Sequence, residues 1–199
     1  KIFKDSQIKE CIDPPAKIKP IISSYKPSSS SLKIVFFSRI SYKKNLKFLI
    51  KCFINTNFSY QVDLDIIGPI CDKKYWIECK KLAHDLPQNV RFNYLGNFSP
   101  NKIYREVPKY DLFVFPTLGE NFGHVIFESI RLGTPVLTTP FTPWSKEKGV
   151  IKTLPLNNYE KWIIEIDKFF RLDKKQRLKF SKRISYSVLK SNLLTNINK

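Results

Sequence analysis

An α/β fold, a parallel sheet with helices on both faces, is what this sequence predicts, and three observations predict it. Short apolar runs alternate with helical patterns from residue 33 to residue 189, the order expected of βαβ units. Two runs, Lys33-Ile34-Val35-Phe36-Phe37 and Asp111-Leu112-Phe113-Val114-Phe115, are almost unbroken apolar stretches, as strands buried on both faces are. At 199 residues and 42% apolar content, the chain is long enough to bury one full core, and a single domain is expected.

The elements follow in order. Residues 1–31 are irregular, with Pro14, Pro15 and Pro20, and close on the polar stretch Lys26-Pro27-Ser28-Ser29-Ser30-Ser31; they read as a crossing segment and linker from a preceding domain. Strand 33–38, helix 45–55, strand 62–67, helix 72–85 and strand 90–95 come next. A short helix at 100–107 has Ser99 as its cap and Pro100 at its first position. Strand 111–115, helix 123–132 and strand 135–138 complete a further βαβ unit. Asn157 with Glu160 reads as a variant capping box that opens a helix to residue 170. A last helix covers 174–189, the domain spans 32–190, and 191–199 is polar enough to fray.

The most informative stretch is Gly119-Glu120-Asn121-Phe122-Gly123-His124-Val125-Ile126-Phe127-Glu128. Glu120 falls in a loop at a strand's carboxyl end, where open α/β sheets bind ligands, and Glu128 falls on the second turn of the helix that follows. Eight helical positions separate two backbones by roughly 12 Å, whereas paired glycosidase carboxyls stand about 5 to 9.5 Å apart. The two carboxylates therefore address different parts of a long ligand. The amides of Asn121, Phe122 and Gly123 lie between them, where a helix N-terminus favours an anion.

Together with Thr134-Pro135-Val136, and with Phe37-Ser38-Arg39-Ile40-Ser41-Tyr42-Lys43-Lys44-Asn45-Leu46 earlier on, this stretch resembles the donor half of the family 4 retaining glycosyltransferases of the GT-B fold. That family carries a Gly-Arg pair, a Lys five positions after the Arg, and a Glu-x7-Glu motif. The chain departs from it in having Ser38 in the usual glycine position. The resemblance covers residues 33–170 and implies a Rossmann-like parallel sheet, one half of a GT-B fold. It implies that Arg39 and Lys44 hold the diphosphate of a nucleotide sugar such as a UDP- or GDP-sugar. Glu128 would accept hydrogen bonds from the ribose diol, and Glu120, with Asn121, Phe122 and Gly123, would hold the sugar. Ser38, Gly68, Pro69 and Leu95 would complete the donor site. It further implies transfer with retention to a glycan or lipid-linked acceptor, as in polysaccharide assembly, with the acceptor held by an N-terminal domain missing here. Such a fragment would be inactive by itself. A nucleotide-sugar 2-epimerase of similar architecture and a non-catalytic nucleotide- or anion-binding module are the rival readings.

Other residues are assigned packing roles. Tyr94 reads as core and His124 as a capping or packing residue. His84 complements a helix dipole, and Thr142, Pro143 and Trp144 follow a strand where a packed Trp, or a wall of the donor pocket, is expected. No histidine is a credible catalyst.

Composition narrows the rest. No GxGxxG or GxxxxGK[ST] fingerprint occurs, which removes the main support for dinucleotide and P-loop readings. Arg39 and Lys44 supply the positive charge that a metal would otherwise bring, so no cofactor is expected. Cys11, Cys52, Cys71 and Cys79 form no CxxC pair and read as reduced thiols of a cytoplasmic protein. No apolar run approaches the length of a membrane span, and no signal peptide is visible. The chain starts on Lys1 and contains no Met, which reads as a fragment. Thirty-five Lys and Arg against 17 Asp and Glu give a net charge of +18. The seven arginines are scattered, so the excess reads as a lysine-rich surface, with peripheral contact to an anionic inner membrane face next and nucleic acid set aside.

Overall fold

The computed structural model describes residues 27–28, 30–54, 56–146 and 151–190. Six parallel strands form one sheet in the order β3-β2-β1-β4-β5-β6. They are β1 (Ser31–Phe37), β2 (Gln61–Ile67), β3 (Val90–Gly96), β4 (Leu112–Phe115), β5 (Val136–Thr138) and β6 (Ile151–Thr153). β1 and β4 lie side by side, Ile34 opposite Leu112 and Val35 opposite Phe113. The chain winds outward from β1 to β3, returns to the centre, and winds the other way from β4 to β6. The loops leaving β1 and β4 therefore diverge and open a crevice at their carboxyl ends.

Burial follows position in the sheet. Every residue of β4 is buried, and Ile34 to Phe37 of β1 are buried without a break. Across the centre, the Phe37 and Phe113 rings meet at 4.4 Å and those of Phe36 and Phe115 at 5.9 Å. In β2 the alternate Val62, Leu64 and Ile66 are covered, joined by Ile67 at its end, and the edge strand β3 is largely exposed.

Among the described residues, six α-helices surround the sheet: α1 (Leu46–Ile54), α2 (Lys73–Ala83), α3 (Pro100–Glu106), α4 (His124–Arg131), α5 (Tyr159–Arg171) and α6 (Lys174–Lys190). Right-handed crossovers put α1 and α2 on one face and α4 on the other, because the strand order reverses between them. α5 packs against α1, and α6 against α4. α1 buries Leu46, Leu49, Ile50 and Phe53 completely, the i, i+3, i+4, i+7 stripe of a helix lying on a core. Asp72 caps α2 by accepting from the Tyr75 amide at 3.0 Å, and Ser99 caps α3 from the Lys102 amide at 3.4 Å.

The expected α/β class, parallel sheet and flanking helices are present. Two details differ. β6 was not anticipated, since Ile151-Lys152-Thr153 lacks the buried apolar run that marks β5. The cap of α5 is Asn158, whose side chain accepts from the Lys161 amide at 3.0 Å, one residue later than the expected Asn157. The segment 1–26 and the tail 191–199, expected as crossing segment and frayed end, lie outside the described residues.

The last helix is tied in by charge. Arg177 donates to Asp111 Oδ1 at 2.9 Å, with both side chains 2% exposed, and to the Ser28 carbonyl. Asp111 Oδ2 accepts the Lys33 amide at 2.7 Å, so one carboxylate joins β1, the start of β4 and α6.

Candidate donor site at the sheet switch point

The β1–α1 loop decides which cations turn inward. After Ser38 and Arg39, Ile40 plugs into the core and bridges to Ile70. Residues Tyr42–Lys44 then form a 3-10 turn closed by Asn45, at φ 58° and ψ 39°, a left-handed conformation that Asn tolerates. The turn buries Lys44, which is 6% exposed, and leaves its neighbour Lys43 in solvent.

The β2–α2 loop packs beneath it. Gly68 sits at φ 137°, and a Cβ there would lie 2.0 Å from the Ser38 carbonyl oxygen. Only glycine allows that approach. Ser38 donates to the Ile67 carbonyl at 2.9 Å and Ile40 to that of Pro69 at 2.8 Å.

The β4–α4 loop forms the opposite wall and is pinned on several sides. Leu118 N–H donates to the Lys43 carbonyl at 2.9 Å and Glu120 N–H to that of Phe141 at 3.0 Å. The Thr139 hydroxyl donates to the Thr117 carbonyl at 2.8 Å, and the Trp144 indole to the Phe122 carbonyl. Gly123 begins α4 at φ 79° with no side-chain cap, so the first amides of α4 have no capping side chain and face outward.

Between the two loops lies a cavity of about 390 Å³. Ser38, Arg39, Lys43 and Lys44 line one side, and Glu120, Asn121, Phe122, Gly123, His124 and Val125 line the other. Lys44 Nζ and Glu120 Oε1 meet across it at 2.5 Å, with side chains 8% and 11% exposed. Three cations, a single carboxylate and the N-terminal end of a helix make a setting for an anion that also carries hydroxyl groups.

Seven of the expected site residues thus converge: Ser38, Arg39, Lys44, Glu120, Asn121, Phe122 and Gly123. Glu128 is half-buried on α4 and does not line this cavity. Burial pushes its carboxyl above the usual range, with His124 and Arg131 pulling it back. Gly68 and Pro69 support the β1–α1 loop from below. Leu95 is exposed and lines a separate polar hollow with Asp65, Arg91 and Asn93.

Of the packing assignments, only that of Tyr94 changes. His124 is exposed and lines the cavity, because it is the first residue of a helix whose start faces the crevice, and its ring also packs 4.6 Å from that of Phe122. Tyr94 is 38% exposed, since β3 is an edge strand, and its hydroxyl donates to the Gly68 carbonyl at 3.0 Å. Trp144, 1% exposed, is a packed buttress behind Phe122. Lys43 and Thr117 were not singled out in the sequence; the available signal was a Thr two residues after an apolar strand.

A larger hollow of about 890 Å³ lies between α5, the end of α1 and residues 56–60. It sits where β2 begins, away from the carboxyl ends of β1 and β4. Among the described residues no three His, Cys, Asp or Glu side chains group as a metal site would require, and no helix is long and apolar enough to cross a membrane.

The family model of glycosyl transferases group 1 matches residues 18–183. The chain belongs to that family. Solved structures agree on the fold. The catalytic domain of cholesterol-α-glucosyltransferase from Helicobacter pylori is 21% identical with a TM-score of 0.63, over 79% of this chain and 97% of that one. Alr3699/HepE from Anabaena, in complex with UDP and glucose, is 19% identical with a TM-score of 0.67, over 85% and 46%. A glycosyltransferase from Rickettsia africae is 19% identical with a TM-score of 0.72, over 86% and 46%. The chain thus spans less than half the length of the last two. No curated protein matches it. This group 1 glycosyltransferase domain has the fold of the carboxyl-terminal half of GT-B enzymes, and its switch-point cavity is the candidate donor site.

Proposed function

We propose that this domain binds a nucleoside diphosphate sugar in the switch-point cavity. With a second domain closing over it, it transfers the sugar, with retention, to a glycan or lipid-linked acceptor, as family 4 enzymes do. The observation that carries the reading is the meeting of Lys44 and Glu120, 76 residues apart in sequence, in one cavity with Arg39. The complex of the Anabaena protein with UDP and glucose supports the ligand class.

In this reading Arg39, Lys43 and Lys44 face the diphosphate, assisted by the first amides of α4. As the bond from the sugar's anomeric carbon to the phosphate oxygen breaks, negative charge grows on the departing diphosphate. Fixed cations then stabilise the transition state more than the bound donor. They supply the charge a metal would otherwise bring, so the reading calls for none. Glu120 holds the sugar hydroxyls, and Glu128, one turn into α4, takes the ribose diol. Tyr42, Leu118 and Phe141 stand 69%, 40% and 56% exposed on the three loops that meet here, an apolar rim suited to cover by a second domain. The family match gives no support to the epimerase or to the non-catalytic module. A site near an anionic inner membrane face fits the +18 charge.

Calorimetric titration with UDP-, GDP- and ADP-sugars tests the reading. One of them is expected to bind, and Lys44→Ala and Glu128→Ala each to weaken it about tenfold or more, the effect of losing a charge-assisted contact. Binding indifferent to both substitutions sinks the assignment.

A further inference from the structure

We propose that Thr117 is a positioning residue for sugar recognition, fixing Glu120 through one carboxylate oxygen so that the other is presented to the ligand. The inference rests on the donor-site reading above and adds a residue and an atom to it.

Thr117 is fully buried at the end of β4. Its Oγ1 lies 2.8 Å from Glu120 Oε1, 3.2 Å from the Gly119 carbonyl and 3.3 Å from that of Lys43. A hydroxyl has one proton to give, and the shortest contact, to an ionised acceptor, is the strongest claimant. In return Oγ1 accepts the Gly119 amide at 3.3 Å. The hydroxyl thus has a defined orientation, and the Thr117 backbone is held by Thr139.

Lys44 Nζ reaches the same Oε1 at 2.5 Å. Both donors therefore converge on one oxygen, while Glu120 Oε2 makes no hydrogen bond to any described residue. A carboxylate can accept about four hydrogen bonds, so Glu120, which lines the cavity, keeps acceptor capacity for a ligand. Lys44 alone could not fix this arrangement, because an ammonium on a flexible stem follows whichever anion is nearest. An arriving diphosphate competes for it. Thr117, uncharged and buried, is not drawn to an arriving anion, so it keeps Glu120 in place when Lys44 turns to phosphate.

The test separates this role from plain packing. Thr117→Val keeps the shape and removes the hydroxyl; Thr117→Ala removes it without bulk, and Thr117→Ser keeps it. Affinities for a nucleotide sugar and for its nucleoside diphosphate alone are measured by calorimetry. Thr117→Val and Thr117→Ala are expected to weaken the nucleotide sugar about tenfold, the worth of one hydrogen bond to a charged group, and to leave the nucleoside diphosphate within about twofold. Thr117→Ser is expected to restore the sugar-dependent part. Equal weakening of both ligands, or of neither, overturns the role of Thr117 while leaving the donor site standing. A wild-type chain that binds neither ligand overturns the donor reading and this inference together.

Discussion

Glu128 carries a conflict between stability and binding. Burial raises its carboxyl above the usual range, so the folded state holds the proton more tightly than the unfolded chain does. The ionised side chain therefore costs stability at neutral pH, and the cost fades as pH falls toward the ordinary value of 4.5, below which the group is neutral in both states. Glu128→Gln is expected to raise the melting temperature at pH 7, with the gain shrinking in acid, and to weaken nucleotide-sugar binding. Melting curves across that range that coincide with wild type would refute the first half. Gly68 is the second residue whose chemistry is local. Gly68→Ala places a methyl group 2.0 Å from the Ser38 oxygen in a conformation costing about 1–3 kcal/mol, plus displacement of the β1–α1 loop. Urea unfolding should show at least that loss, and Arg39 and Lys44 should bind phosphate less well.

At the scale of elements, α6 hangs on a buried ion pair. Arg177 Nε is buried without a partner among the described residues, so the pair is costly to hold, yet breaking it from one side is costlier. Arg177→Ala leaves the Asp111 carboxylate buried without its guanidinium, and about 3–5 kcal/mol is the expected loss. A lower urea midpoint at unchanged slope would confirm it; an unchanged midpoint would mean α6 adds little to the fold. Elements were also where the sequence was most legible. The unbroken apolar runs of β1 and β4 announced central strands, and Ser99-Pro100 announced the start of α3. β6 was invisible because its pairing with β5, rather than any period of its own, makes it a strand.

For the whole molecule, a charge of +18 should speed the approach of an anionic donor. Exposed Arg39 and Lys43 feel salt strongly, since the screening length falls from about 10 Å at 0.1 M to about 3 Å at 1 M. The buried Lys44–Glu120 pair feels it little. Stopped-flow measurements are expected to show an association rate that drops several-fold over that range and a dissociation rate that barely moves. A salt-independent association rate would mean the surface charge has no part in capture.

The sequence by itself determined the strand and helix alternation and the residue types of a candidate phosphate-and-sugar site at the ends of two apolar strands. Those properties are local: they follow from side-chain periodicity and from which residues accept a given φ. Only the tertiary structure decided that Lys44 turns inward while Lys43 stays in solvent, that His124 faces the cavity, and that Glu120 is held through Oε1 by both Lys44 and Thr117. Each of these depends on the reversal of strand order that brings β1 beside β4. No period within either segment encodes a contact between loops more than seventy residues apart.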